Sequence, residues 1–115
     1  MLAHGAVLRK NFFSVDQLTA IVKDFRNAGL TPEEVAIMAF AQKVSSQAHQ
    51  VNEHDIEMLR GHGLTDEEIF DLVLAATARN FFSKTLDATS AVPDDIYREL
   101  EPELLQVLPV GRPFP

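Results

Sequence analysis

The chain has 115 residues, of which 46% are hydrophobic and 23% are charged, a composition typical of one soluble globular domain. Its net charge of −7 argues against nucleic acid or an anionic membrane as a partner, because clustered Lys and Arg drive binding to phosphate groups. The absence of cysteine excludes disulfides, thiolate metal sites and thiol chemistry by this chain alone.

No apolar run approaches the roughly 18 residues that are needed to span a bilayer. The opening residues, MLAHGAVL, also lack the basic start of a secretion signal, since Arg9 and Lys10 follow the apolar part. We therefore expect a cytoplasmic protein without a membrane partner.

Five main helices are predicted, and the first, at about 2–10, begins with no capping signal. Each of the next four follows a residue that can cap it. A Gln or Glu three positions later completes a capping box at three of them, and Asn52 with Asp55 is a looser version. These helices are predicted at about 15–28, 32–47, 53–61 and 66–89, after caps at Ser14, Thr31, Asn52 and Thr65. Gly29 and Gly63 stand where left-handed helix ends are expected. No segment alternates with period two, so the predicted fold class is all-α, a helical bundle without a sheet.

A short motif occurs twice, as RNAGLTPEEV at 26–35 and RGHGLTDEEI at 60–69, with a shift of 34 residues. This period is that of tetratricopeptide repeats, but two copies are fewer than a solenoid needs. A duplicated helix–Gly–helix unit is the simpler interpretation.

Two charge-free runs follow the repeated motif: VAIMAFA at 35–41 and LVLAATA at 72–78. A helix that is apolar all round is expected to be buried all round, which is difficult in a small monomer. We therefore expect a homo-oligomer, a dimer or larger, built around these helices. The alternative is that they form the centre of a monomeric bundle.

From about Val92 the chain becomes rich in proline, which divides it into a helical domain at 1–92 and a C-terminal arm at 93–115. Pro93 and Pro102 can each open a short helix, since proline is favoured at the first helical position. The side chains expected to face protein are Ile96, Tyr97, Leu100, Leu104 and Leu105. The final PVGRPFP is expected to lie as an arm over the body or over a neighbour.

The four histidines are the first residues to consider for chemistry. His49, His54 and His62 lie at loops or helix ends and are interpreted as solvated or capping residues. A metal site needs several ligands on one face, and the spacing offers no third partner, so no metal and no other cofactor is predicted. His4 lies on the apolar first helix, where a lone His is more often a satisfied core group than a catalyst.

Asn80 interrupts the apolar pattern of the fifth helix, just before Phe81 and Phe82. Asparagine in a helix interior lowers helix propensity, so this side chain is expected to have a partner. The favoured interpretation is that Asn80 ties two helices together by hydrogen bonds, and a substrate contact is the alternative.

From about residue 4 to residue 100 the chain resembles the alkylhydroperoxidase D / carboxymuconolactone decarboxylase family, most closely its peroxidase-related branch. The segments that carry the likeness are HGAVLRK, DFRNAGLTPEEVAIMAFAQKV, DIEMLRGHGLTDEEIFDLVLAATARNFFSKTLDA and VPDDIYREL, in that order. The resemblance implies an AhpD-like all-helical fold, symmetric oligomers and a small-molecule peroxide as substrate.

In redox-active members of this family, a Cys-x-x-Cys pair is followed four positions later by a His, and a Glu further upstream completes a proton relay. The dithiol reduces a peroxide and becomes a disulfide, and the reactive form is the thiolate. His4 matches the family His, which makes it the one catalytic residue that the resemblance identifies. The Cys pair and the Glu match no residue of this sequence. The expectation is that the reading frame upstream of Met1 encodes a cysteine directly before Met1 and another three residues earlier.

Several functions remain open at this stage. The first is a peroxidase-related antioxidant domain without its redox cysteines, and therefore truncated or inactive as sequenced. The alternatives are a non-redox oligomeric scaffold or binding domain and a decarboxylase-type enzyme that uses His4 as general acid or base. A helix-turn-helix DNA binder is disfavoured, because acidic residues occupy the start of the would-be recognition helix at 66–68.

Overall fold

A computed structural model describes residues 1–111 and 114, and within them the regular structure is entirely helical. Six α-helices follow one another along these residues: α1 (Leu2–Asn11), α2 (Val15–Asp24), α3 (Pro32–Gln47), α4 (Glu53–Gly61), α5 (Asp66–Ala88) and α6 (Pro102–Val107). Three short 3₁₀ turns lie at Phe25–Asn27, Ala48–Gln50 and Asp95–Glu99. The all-α fold and the five main helices predicted from the sequence are confirmed.

The predicted caps form at all four helix starts. At α3, for example, the backbone N–H of Glu34 donates to the Thr31 hydroxyl at 3.2 Å, and the N–H of Thr31 donates to the Glu34 carboxylate at 2.8 Å. The same reciprocal pair forms between Thr65 and Glu68 at the start of α5. These bonds satisfy N–H groups that have no partner inside a helix, which is why the starts could be located from sequence.

The second helix ends earlier than predicted. It stops at Asp24, and the residues that follow form a 3₁₀ turn instead of continuing the helix to residue 28. The Asp24 side chain accepts a hydrogen bond from the Arg26 backbone N–H at 3.1 Å and another from the Asn27 side chain at 2.6 Å. Aspartate competes in this way for backbone groups, and here that competition ends the regular helix. Gly29 then has φ of 77°, the left-handed conformation expected of it.

The chain divides into two compact units. Unit 1 contains residues 1–29 and 86–115, and unit 2 contains residues 30–85. The core of unit 1 consists of four leucines from three helices and their ends, Leu2, Leu18, Leu104 and Leu108. The core of unit 2 is formed by α3, α4 and α5 through Phe40, Val44, Leu59, Ile69 and Ala76.

The proline-rich C-terminal segment provides half of the unit 1 core. Helix α6 begins at Pro102 as predicted, and Leu104 and Leu108 are almost completely buried. Pro93 does not open a helix, because the 3₁₀ turn starts two residues later. The prediction for Ile96 is wrong: its side chain is 66% exposed. A 3₁₀ turn has three residues per turn, so Tyr97 and Leu100 share its inner face and Ile96 does not. The predicted course of PVGRPFP falls in part on residues 112, 113 and 115, which lie outside the described residues.

Candidate functional site

His4 is exposed on α1, on the side away from the core of unit 1. The neighbours Leu2 and Gly5 are buried, whereas Val7, one turn further along the helix on the same side as His4, is 55% exposed. Residues three and four apart share a helix face, so His4 lies in an apolar surface stripe with Val7 and Leu8. Within the described residues, the His4 side chain makes no hydrogen bond or ion pair. The imidazole is therefore accessible, and the interpretation of His4 as a satisfied core group does not hold.

The opposite face of α1 is fixed by one close contact. A Cβ atom built on Gly5 would lie 2.6 Å from a Leu108 methyl carbon, closer than side chains approach one another. Glycine thus allows the backbone of α1 to lie directly against Leu108, which is 1% exposed. This contact determines which side of α1 is free, and it turns His4 outward.

An ion pair holds the C-terminal end of the same helix. The Arg9 Nε donates to Glu101 Oε1 at 2.8 Å, and Glu101 is the residue that precedes α6. A hydrogen bond from the Glu101 backbone N–H, together with the nearby Arg9 guanidinium, lowers the pKa of the Glu101 carboxyl. Both side chains are about one-third exposed, and solvent screens such pairs. The ion pair therefore contributes little to the free energy of folding and mainly fixes the orientation of α1.

The other three histidines are exposed, as predicted. His54 lies in the first turn of α4, where its backbone N–H donates to the Asn52 side chain at 2.9 Å. His62 ends the same helix, and its backbone N–H donates to the Leu59 carbonyl at 3.1 Å. In the part of the chain that the structure describes, no three His, Asp or Glu side chains cluster as metal ligands would. In the same part, no helix is long and apolar enough to cross a membrane.

Asn80 connects two helices of unit 2, as the sequence predicted. Its Nδ2 donates to the Ser45 backbone carbonyl at 3.1 Å, which joins α5 to the last turns of α3. A mid-helix asparagine is thus used for packing, and a substrate contact is not needed to explain it.

The sequence interpretation missed a group of salt bridges around α4. Arg60 pairs with three carboxylates, those of Glu57, of Glu53 at 2.8 Å and of Asp66 at 2.7 Å, and these hydrogen bonds raise its pKa. Lys43 on α3 pairs with Asp55 at 2.7 Å and, with a backbone N–H of Asn52, lowers the pKa of that carboxyl. The spacing of Glu53, Glu57 and Arg60 on one helix face was the available signal. The Lys43–Asp55 pair connects α3 to α4, and the Arg60–Asp66 pair connects α4 to α5, so these charges are explained by packing.

Unit 2 also has a shallow surface cleft where the start of α3 lies near the start of α5. Its lining combines apolar side chains with two carboxylates and an imidazole: Glu33, Ile37, His62, Gly63, Leu64, Glu68 and Leu72. Glu68 is already engaged in capping Thr65, and the remaining polar groups are exposed. The cleft is separate from His4 in the chain and offers no arrangement of acid, base and nucleophile.

Comparison with known proteins gives one informative match. No protein-family model matches the chain, and no curated protein matches it. Among solved structures, the chain is similar to an alkylhydroperoxidase AhpD core, an uncharacterized peroxidase-related protein from Ralstonia eutropha JMP134. The two share 35% sequence identity with a TM-score of 0.71, over 84% of this chain and 50% of the other. This chain therefore spans about half the length of that protein. The likeness shows that the helices of this chain adopt the all-α fold of an AhpD core.

Proposed function

We propose that this chain is a peroxidase-related domain in which His4 is the proton-relay histidine. The chain itself does not contain the redox dithiol. The observation that carries the proposal is the position of His4, exposed on α1 of a fold shared with an alkylhydroperoxidase core. The substrate class is a small organic or inorganic peroxide.

Helix geometry explains what His4 can do. A residue four positions before His4 lies one turn away on the same helix face, directly before Met1. A thiol at that place is within reach of the imidazole, which can act as a general base and accept the thiol proton. The thiolate then attacks the peroxide oxygen, and a second thiol closes the disulfide. In balance, two thiols and one organic hydroperoxide give one disulfide, one alcohol and one water, and hydrogen peroxide gives one disulfide and two waters.

The chain as sequenced has no thiol, which gives the first half of the test. Purified protein is expected to show no peroxide reduction coupled to a small dithiol donor above the rate of the donor alone. Robust turnover by pure protein would contradict the assignment, because no group in the chain can take the part of the dithiol.

The second half installs the missing group. An N-terminal extension that ends in Cys-x-x-Cys directly before Met1 continues α1 by about one turn and brings the last thiol beside His4. We expect this variant to reduce peroxide with a dithiol donor. Adding His4→Gln should raise the thiol pKa, measured by thiolate absorbance at 240 nm, and slow the reaction by about 10²-fold, the contribution typical of a general base.

The matched control is His49→Gln in the same extended protein, since His49 is also exposed but lies in unit 2. It should leave both the thiol pKa and the rate unchanged. If His4→Gln behaves as His49→Gln does, His4 is not a relay residue and the proposal is wrong.

A second function is favoured by a different observation, the large apolar side chains that α5 leaves exposed. They support a domain that works by self-association, as a homo-oligomeric scaffold. The His4-dependent decarboxylase has less support, because His4 has no acidic or basic partner among the residues described.

A further inference from the structure

We propose that the exposed face of α5 pairs antiparallel with α5 of a second copy of this chain, in a two-fold symmetric helix seam. This inference is independent of the peroxidase proposal, since it concerns unit 2 and uses no residue of α1. It is carried by the spacing, exposure and charge of six residues, named here the α5 seam: Glu67, Phe70, Leu74, Thr77, Phe81 and Lys84.

The α5 seam lies away from the core. The buried face of α5 contains Ile69 and Ala76, which pack in the core of unit 2. On another face, Phe70, Leu74 and Phe81 are 61%, 49% and 66% exposed, and the other members of the seam are exposed as well. Large apolar side chains in a continuous stripe indicate a contact surface, whereas single exposed ones do not.

The spacing of the seam is that of a coiled coil. Its members are separated by three, four, three, four and three residues, the alternation that keeps one narrow stripe facing a partner helix. Such a stripe drifts slowly around a straight helix, and a left-handed supercoil brings it back into register.

The intervals between the seam residues are the same in both directions along the helix. Two antiparallel copies of the seam can therefore match each other residue by residue. When two copies of α5 run antiparallel about a two-fold axis, Phe70 lies opposite Phe81 of the other copy and Leu74 lies opposite Thr77. A two-fold interface requires this reciprocity, in which residue i meets residue j and j meets i. A parallel pairing would instead place each residue against itself.

Charge favours the antiparallel orientation. The ends of the seam are Glu67 and Lys84, which lie opposite each other in the antiparallel pair and form two ion pairs, one at each end. In the described part of the chain neither side chain is engaged in an ion pair. In a parallel pair the carboxylates would meet each other at one end and the ammonium groups at the other.

The polar member near the centre of the seam is already satisfied. The Thr77 hydroxyl donates to the Val73 carbonyl at 2.9 Å and approaches the Leu74 carbonyl at 3.1 Å. Its hydrogen bonds are therefore made within its own helix, and the methyl group remains for contact with Leu74 of the other copy. Burial of Thr77 in the seam leaves no hydroxyl without a partner.

The first test measures mass and its dependence on Phe81. Light scattering and sedimentation of the full chain, from about 1 to 100 µM, should give twice 12.8 kDa at the upper concentrations. Phe81→Asp should weaken the dimer by about tenfold or more, the effect of removing an interface anchor. Phe82→Asp is the matched control, because Phe82 is 60% exposed on the same helix, outside the seam. Both changes remove the Phe81–Phe82 ring contact, so that contact cannot explain a difference between them.

The second test determines orientation. The chain has no cysteine, so Glu67→Cys and Lys84→Cys proteins each carry one thiol. An equal mixture should form mixed disulfide dimers under mild oxidation, and neither protein alone should cross-link, since like positions are about 25 Å apart in the antiparallel seam. Glu67→Lys and Lys84→Glu should each weaken the dimer about three- to tenfold, and the double exchange should restore it.

Several outcomes would overturn the proposal. A monomer at 100 µM excludes the seam, and an equal loss with Phe81→Asp and Phe82→Asp shows that a different surface associates. Self-cross-linking of Glu67→Cys indicates a parallel pair. Failure of the double charge exchange to restore affinity shows that Glu67 and Lys84 are not opposite each other. Circular dichroism of each variant should show unchanged helix content, because every substituted side chain is exposed.

Discussion

The two units reach stability by different means. In unit 2, three helices that follow one another along the chain are joined by caps and polar ties, such as Asn80 to Ser45 and Lys43 to Asp55. In unit 1, groups from the two ends of the chain meet, as when Arg9 pairs with Glu101 across 92 positions. The comparison teaches that local signals organise one unit, whereas the other depends on contacts between distant segments, including the one that orients His4.

The largest expected change in stability follows from a substitution in the core of unit 1, which is built from both ends of the chain. Leu104→Ala removes a side chain that is fully buried in unit 1, and it should lower the free energy of unfolding by about 2–5 kcal/mol. Hydrogen exchange should show increased exchange first in peptides from 2–24 and 95–108. Leu59→Ala, which empties an equally buried position in unit 2, is the control and should affect peptides from 32–85 first. Identical exchange patterns for both variants would mean that the chain unfolds as one body.

A smaller effect is expected where α1 lies against Leu108. Gly5→Ala places a methyl group 2.6 Å from a Leu108 carbon, so it should lower the free energy of unfolding by about 1–3 kcal/mol, less the helix propensity that alanine gains. Gly61→Ala is the matched control: it also lies in a helix, but nothing is within 4 Å of the new Cβ. Urea denaturation should show Gly61→Ala neutral or stabilised by up to about 1 kcal/mol. Equal behaviour of the two variants would mean that the close approach at Gly5 has no energetic consequence.

The smallest effect concerns acid stability in unit 2. The hydrogen bond from Lys43, followed by that from the Asn52 backbone, lowers the pKa of Asp55 below its ordinary value near 3.8. A carboxyl with a lowered pKa in the folded state contributes stability above the unfolded pKa and loses it as the pH falls through the folded pKa. Asp55→Asn should therefore reduce stability at pH 6 and flatten its decline below about pH 4. The exposed Asp71→Asn serves as control, and a similar change in its pH profile would argue against a specific role for the Lys43 pair.

The sequence predicted those parts of the fold that depend on neighbouring residues. Capping boxes located the starts of α2, α3, α4 and α5, since a cap and its partner are three positions apart. The sequence predicted that Asn80 hydrogen-bonds to another helix. It could not identify Ser45 as the partner, because Ser45 lies 35 positions away. The early end of α2 was missed because the Asp24 side chain competes with the helix, and that competition depends on how the following turn folds.

The sequence predicted which residue belongs to the candidate site, but it did not predict that the side chain of this residue is exposed. A family resemblance identified His4, whereas residue pattern alone favoured a buried core histidine. The contact that turns His4 outward joins Gly5 to Leu108, about a hundred positions apart, and nothing in either local sequence indicates it. The division of the chain into two units could not be predicted from local sequence either, because the C-terminal arm contributes to the same core as α1.

The shared core of unit 1 has a consequence for synthesis on the ribosome. Leu2 and Gly5 are made about a hundred residues before Leu108, against which they lie. At roughly 5–20 residues per second, α1 waits for about 5–20 s before its docking surface exists. During that interval unit 2, whose residues are contiguous, emerges with all of its own core. The apolar segment MLAHGAVL is thus the part of unit 1 that chaperones have the longest time to engage.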